Sequence, residues 1–363
     1  MTESKSVDNL LVSNMFPSAT NPLRGIFVKR IADQLRDSGI GLDQQVYIAK
    51  GDSKLGKLLG YVAFYWRVVV ALMFGGYQRV YIHYASHCAI PVLIARLFKN
   101  FEIITHVHGG DVKLHSAHSK LFFRIKTFFS KRLILSSDTV VVPSKNYREM
   151  VEQSFGANNT LVYPSGGVDL SLFDAPATKI KPTVSRLGYA GRLEALKRVD
   201  WVISSFAKLQ QVYPDLQLDI VGDGSVKQQL KEQAKALGVD GKVTFSDTKN
   251  QAQLVKWLQT LDALVYPSES ESLGLMPLES MACGVVPILS DIPAFAEYIS
   301  DDNGYLCSDE ESLYLACREF MSLSQKRRQA MAHAARATVE ARYDSNKVLS
   351  QLVHLFAPAT AKI

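Results

Sequence analysis

The sequence predicts an α/β protein made of two doubly wound parallel-sheet domains in series. The chain runs to 363 residues, more than one hydrophobic core usually supports. Short β-branched or aromatic runs alternate with helical patterns in both halves, and a loose stretch separates the two series. Near-continuous apolar strands joined by helices mark a parallel sheet covered on both faces.

In the first half the expected strands are NLLVSNMF (9–16), QQVYIA (44–49), RVYIHYA (79–85), EIITHVHG (102–109), DTVVVPS (138–144) and NTLVYPS (159–165). Helical patterns such as GIFVKRIADQLRDSG (25–39) lie between them. FDAPATKIKPTVS (173–185) carries two prolines and little periodicity, so it reads as a linker. The alternation restarts with RLGYAGR (186–192), LQLDIVGDG (216–224), KVTFSD (242–247), ALVYPS (263–268) and GVVPILSD (284–291), with helical segments at 225–238 and 250–262. The expected division is a first domain over 1–172, a linker over 173–185, a second domain over 186–345, and a C-terminal helix over 346–363 that packs back on the first domain. In doubly wound sheets ligands bind beyond the carboxyl ends of the strands, so two such domains would face each other across a ligand cleft.

Composition narrows the class further. Hydrophobic residues at 47% and charged residues at 21% are in the ordinary globular range. Four cysteines at irregular spacing, with no C-x-x-C pair, suggest reduced thiols rather than a zinc site or a disulfide framework. The opening MTESKSVDNLLVSNMF lacks the basic and apolar regions of a secretory signal. Arg67 interrupts the apolar stretch at 57–77, whose charge-free run falls short of the roughly 20 residues a spanning helix needs. That stretch is expected to form a buried or interfacial helix.

Residues 1–170 hold 20 Lys and Arg against 12 Asp and Glu, a net of +8, while the remainder nets −2. An excess confined to one half points to an anionic partner there: a phospholipid surface or a lipid pyrophosphate, rather than nucleic acid.

The second half carries a dense constellation. ESLGLMPLE (271–279) follows a strand ending in Pro-Ser. Pro277 suits the first helical position and Gly284 the helix end, so a helix should begin near Leu275 to Met276 with free amides at its start. Such a start binds phosphate, and Gly274 lets the backbone approach. Glu271 and Glu279 would flank a bound pyrophosphate and accept hydrogen bonds from the hydroxyls on either side of it. A glutamate three residues into a helix also suits capping, with no ligand involved. In YAGRLEALKRVD (189–200), Arg192 and Lys197 follow a strand and offer a planar fork and a compact charge to a diphosphate. VGDGS (221–225) is a glycine turn after another strand.

These residues resemble the retaining glycosyltransferases of family 4. ESLGLMPLESMACG is similar to their E-x7-E signature, GRLEALK to GRL-x-x-x-K, and VGDG and VYPS follow in the family's order and spacing. In the first half, Gly25 in SNMFPSATNPLRGIFVKR resembles the first-loop glycine, THVHGGDV matches H-G-x-D, and VYPSGGVDLSLF (162–173) resembles the interdomain segment, expected to line the cleft. Two positions depart from the pattern: Arg198 stands where glycine usually follows the lysine, and FSDTKN (245–250) replaces an F-x-G turn.

The resemblance implies the GT-B fold, with an acceptor-binding first domain and a donor-binding second one. It implies transfer of a sugar from a UDP- or GDP-sugar to a glycan or lipid-linked hydroxyl, with retained configuration. Glu279 would hold the ribose, and Glu271 the donor-sugar hydroxyls. Arg192 and Lys197 would hold the diphosphate, within a cradle formed by Gly25, Gly222, Ser272, Leu273, Gly274 and Leu275. His108 would face the donor sugar, and Asp111 the acceptor hydroxyl or its own loop. No DxD or histidine cluster stands beside the donor motifs in sequence, so neither metal nor cofactor is expected.

KLFFRIKTFFSKRLI (120–134) places Leu121, Phe122, Ile125, Phe128 and Phe129 on one helical face flanked by Arg124, Lys126 and Lys131. That pattern suits contact of residues 113–133 with an anionic membrane, or equally a helix packed on its own domain with snorkelling cations; the basic first half favours the membrane. The implied setting is surface polysaccharide, lipopolysaccharide or glycolipid assembly in the cytoplasm, at the inner face of the membrane. A nucleotide-sugar 2-epimerase shares the domain pair, but the complete E-x7-E with GRL-x-x-x-K counts against it. A nicotinamide oxidoreductase would need G-x-G-x-x-G where NMFPSATNP stands. A non-catalytic partner keeping the fold is opposed by the intact acids and cations.

Overall fold

The computed structural model describes residues 9–17, 24–47, 54–108, 111, 120–175 and 183–357. The chain divides into two compact units, Met1–Gly166 with Leu349–Ile363, and Gly167–Val348.

The first unit is built on β1 (Asn9–Ser13), α1 (Ile26–Asp37), β2 (Leu42–Tyr47), α2 (Lys54–Phe74), β3 (Arg79–His83), α3 (Ala85–Arg96), β4 (Glu102–His106), α4 (Lys120–Leu135), β5 (Thr139–Val142), α5 (Lys145–Phe155) and β6 (Thr160–Val162). Its six strands are all parallel, in the order β2-β1-β3-β4-β5-β6. β1, β3 and β5 are almost wholly buried, which accounts for their continuous apolar runs. The C-terminal helix, Ser345–Phe356, adds its end to this unit: Arg79 donates to the Phe356 carbonyl at 3.1 Å and lies over the Phe356 ring. Arg79 also pairs with Glu102 at 2.6 Å.

The second unit runs β7 (Arg186–Ala190), α6 (Val199–Gln210), β8 (Gln217–Val221), α7 (Lys227–Ala236), β9 (Val243–Ser246), α8 (Gln251–Leu258), β10 (Ala263–Tyr266), α9 (Leu275–Ala282), β11 (Val286–Ser290), α10 (Pro293–Ala296), β12 (Tyr305–Cys307), α11 (Glu310–Ser322) and α12 (Gln325–Arg342); the last helix, α13 (Ser345–Phe356), begins in this unit and ends in the first. Its sheet order is β12-β11-β10-β7-β8-β9, again all parallel. The two doubly wound sheets expected from the sequence are present. β12 was not expected, because three residues leave no pattern to count. Val168 and Phe173 lie in the second unit's core, while residues 176–182 of the expected linker lie outside the described residues.

Helix α9 corrects two expectations. It starts at Leu275, so Pro277 is its third residue rather than its first, and Glu279 its fifth rather than a capping third. Proline is tolerated there because no amide of the first turn has an intrahelical partner. The helix end is as expected: Gly284 takes φ +68°, and the Val285 amide bonds back to the Ser280 carbonyl at 3.0 Å.

Helix α2 is apolar on both sides. Phe64, Val68 and Leu72 are buried, whereas Leu55, Leu58, Leu59, Val62 and Trp66 recur every three or four residues and are 58 to 70% exposed. No described helix is long and apolar enough to cross a membrane.

The turn after β8 packs backbone against backbone. A Cβ on Gly222 would lie 1.9 Å from the Gly191 carbonyl oxygen. Gly222→Ala should therefore lower the unfolding temperature of the second unit, at a cost of about 2–3 kcal/mol. Calorimetric melting measures this; an unshifted transition would mean that the two turns part freely.

Candidate functional site

In the second sheet β10 and β7 are neighbours, and chain order runs outward from them in both directions. This is the switch point at which loops diverge and doubly wound sheets bind ligands. The loop after β7 carries Arg192 and Lys197; the loop after β10 carries Glu271 to Gly274.

The two loops are fastened to each other. Lys197 Nζ donates to Glu271 Oε1, and the Tyr266 hydroxyl donates to the same oxygen at 3.0 Å. The Lys197 ammonium stands 5.8 Å from the centre of the Tyr266 ring, which in turn stacks on Tyr189 at 5.2 Å. The Glu269 amide donates to the Leu196 carbonyl at 2.9 Å, and Arg198 pairs with Glu269 at 3.4 Å. Lys197 is 7% exposed and Glu271 16%, so the pair is largely withdrawn from water. Oε2 of Glu271 makes no hydrogen bond among the described residues and is left to accept one. Burial, with Glu271 next in effect, holds the Tyr266 hydroxyl well above its usual range, so it remains a donor.

Gly274 caps α9 at φ +83°, and the Tyr298 hydroxyl donates to the Leu273 carbonyl at 3.2 Å. Leu273 is buried; Ser272, Gly274, Leu275 and Glu279 are half-buried. Arg192 is exposed, and its guanidinium makes no ion pair among the described residues. Lys197, Glu271 and the start of α9 are therefore brought together. Gly222 belongs to the neighbouring turn packed on Gly191.

In the first unit Gly25 caps α1 at φ +71°, where a Cβ would crowd the Met15 backbone at 2.9 Å. Asp111 is 1% exposed and saturated. One carboxylate oxygen accepts from the Ser86 amide (3.1 Å) and the Ser86 hydroxyl (2.8 Å), the other from the amides of Ala85 (3.3 Å) and His108 (3.0 Å). Of its two expected targets, acceptor hydroxyl or loop, the contacts are to the loop: Asp111 fixes the start of α3 and the backbone of His108.

His108 has company that sequence reasoning missed. Parallel pairing sets His83 at the end of β3 beside His106 at the end of β4. His83 Nδ1 and His108 Nε2 share a hydrogen bond at 3.1 Å, and the Tyr81 hydroxyl meets His106 Nδ1 at 2.8 Å. Burial drives the His108 pKa down to about 4 despite Asp111, and pushes His83 and His106 well below the imidazole range. All three rings are neutral at pH 7. The signal lay in RVYIHYA and EIITHVHG, two strands that each end in a histidine.

Ile125 and Phe128 of α4 are exposed, whereas Leu133 and Ile134 are buried. Residues 112–119, the start of the expected membrane segment, lie outside the described residues, as do the side chains of Leu121 and Phe122.

The fold is that of known glycosyltransferase structures. The sucrose-phosphate synthase of Thermosynechococcus elongatus superposes with a TM-score of 0.79 at 17% identity, covering 96% of this chain and 98% of its own. Anabaena Alr3699/HepE, solved in complex with UDP-glucose, gives 0.74 at 18% identity, covering 96% and 98%. Residues 29–172 match the model described as Glycosyltransferase Family 4, and residues 173–338 the model described as Glycosyl transferases group 1. The chain belongs to the family 4 glycosyltransferases and has the GT-B fold. A GDP-mannose-dependent alpha-(1-6)-phosphatidylinositol dimannoside mannosyltransferase of Mycobacterium tuberculosis is 32% identical over 214 residues, 56% of this chain. The match spans about half (55%) of that relative's length.

Lys197→Met should leave the Glu271 carboxylate with a single donor and destabilise the second unit by about 1–3 kcal/mol, the cost of a buried acceptor short of a partner. Lys197→Met/Glu271→Gln should recover most of the loss. Denaturant unfolding of the two variants decides; equal stability of the single variant and the wild type would mean that the loops are held by other contacts.

Proposed function

We propose that the protein transfers a sugar from a nucleotide-diphosphate sugar to a hydroxyl of a glycan or lipid-linked acceptor, with retention and without a metal in the transfer step. The observation that carries this is the Lys197–Glu271 bond at the switch point, beside the start of α9. One cation, one acid with a free oxygen, and helix-start amides there meet the three needs of a donor: diphosphate charge, sugar hydroxyls and phosphate oxygens.

As the glycosyl bond breaks, negative charge collects on the leaving diphosphate. Lys197 and the exposed Arg192 offset it, together with the amides at Leu275 and Met276, so the cationic work falls to side chains and backbone. Glu271 Oε2 accepts a hydroxyl of the donor sugar, while Tyr266 and Lys197 keep the carboxylate oriented through Oε1. Glu279 accepts from the ribose. Neutral His108 offers a hydrogen bond to the donor sugar, and Asp111 holds its backbone. UDP-glucose in the Alr3699/HepE structure and GDP-mannose in the mycobacterial relative's name favour a UDP- or GDP-sugar as donor.

Thermal-shift screening against UDP- and GDP-sugars should find a stabilising donor. Glu279→Gln should weaken it roughly 10- to 100-fold in calorimetry, the loss expected for a charged hydrogen bond. Unchanged affinity would refute the ribose role, and epimer formed from donor alone would refute transfer.

The acceptor side is read as meeting an anionic bilayer at the inner face of the cytoplasmic membrane, in glycolipid or surface polysaccharide assembly. The exposed stripe of α2 and the exposed Ile125 and Phe128 of α4 supply apolar surface. Exposed Arg67, Lys99, Arg124, Lys131 and Arg132 supply the complementary charge. The wild type should sediment with phosphatidylglycerol vesicles at low salt, and Leu59→Ser/Trp66→Ser should remain in the supernatant. A wild type that ignores such vesicles sinks the membrane reading.

A further inference from the structure

We propose that His83, His106 and His108 form a binding site for a divalent transition-metal ion of the zinc class, with a fourth ligand position left open. One nitrogen from each ring lies within 4.8 Å of the others. Two nitrogens bound to one tetrahedral ion at 2.0–2.1 Å stand about 3.4 Å apart. His83 Nδ1 and His108 Nε2, at 3.1 Å, are already near that spacing; the ion would take the place of the proton they share, which passes to the other nitrogen of its own ring. The third nitrogen must close by at most about 1.4 Å.

The surroundings suit a ligand set. When His106 donates its Nδ1 proton to the Tyr81 oxygen, Nε2 is left with its lone pair, the usual way an outer partner orients a ligating histidine. His83 Nε2 is buried with no partner among the described residues, so it can carry the ring's proton while Nδ1 ligates, without breaking a bond it already makes. His108 is the half-buried member of the three and gives an ion its access. Neutral imidazoles with borderline nitrogen donors select zinc, nickel or copper over magnesium or calcium. No acid completes the set, because the Asp111 carboxylate is occupied by four donors. The site belongs to the first unit alone and does not depend on the transferase reading; a binding experiment with no sugar present separates the two.

The test is titration of tag-free full-length protein with zinc in calorimetry, and with cobalt followed by its visible absorption. One ion per chain is expected. Tyr81→Phe should weaken binding about 10- to 100-fold as an outer partner, and His83→Gln by at least as much. His115→Ala/His118→Ala should bind as the wild type does. An absence of binding, or binding that is lost with His115 and His118 instead, overturns the proposal. Should His83→Gln fail to fold, X-ray absorption of the zinc-loaded wild type decides: imidazole scattering from three nitrogens at about 2.0–2.1 Å sustains the site, and an oxygen-only shell removes it.

Discussion

The Lys197–Glu271 bond is the interaction on which the second unit's site depends. It joins loops from β7 and β10, strands that lie side by side in the sheet while distant in the chain. Parallel pairing brings the loops close, but pairing alone leaves their tips free. The ion pair, the Tyr266 hydroxyl and the Glu269–Leu196 backbone bond set those tips. An ion pair this well withdrawn from water survives only with excellent geometry, since desolvation otherwise outweighs attraction. In the proposed function the same two groups engage the diphosphate sugar, and in the structure each is the other's counter-ion.

The two units solve their electrostatics differently. At the strand ends of the second unit, Lys197 and Glu271 are paired and largely withdrawn from water, while Arg192 stays exposed. At those of the first, three imidazoles are kept neutral by burial, and Asp111 is occupied by three backbone amides and the Ser86 hydroxyl.

Much of this was legible in the sequence. The strands could be read because both faces of each sheet are covered, and the resulting apolar runs have no polar alternation to confuse them. E-x7-E and GRL-x-x-x-K pointed to the loops that meet, since glycine, proline and charge after a strand have few other uses. The bond between Lys197 and Glu271 was not legible, because 74 residues separate them and only sheet order makes them neighbours. His83 was lost for the same reason: it becomes a partner of His108 only when β3 and β4 pair in register. The start of α9 was read where it lies, but Pro277 was given its first position and is its third, because the first turn accepts proline anywhere within it. The exposed side of α2 could not be read at all, since apolar residues on both faces of a helix do not say which face the protein covers.

The four donors on Asp111 bear on how an alanine scan of this chain would be interpreted. Removing the carboxylate releases the amides that begin α3 and the one that seats His108, so a dead variant would report a collapsed scaffold. Its silence would be mistaken for the loss of a base. A carboxamide in its place would still accept on one side and would separate architecture from chemistry.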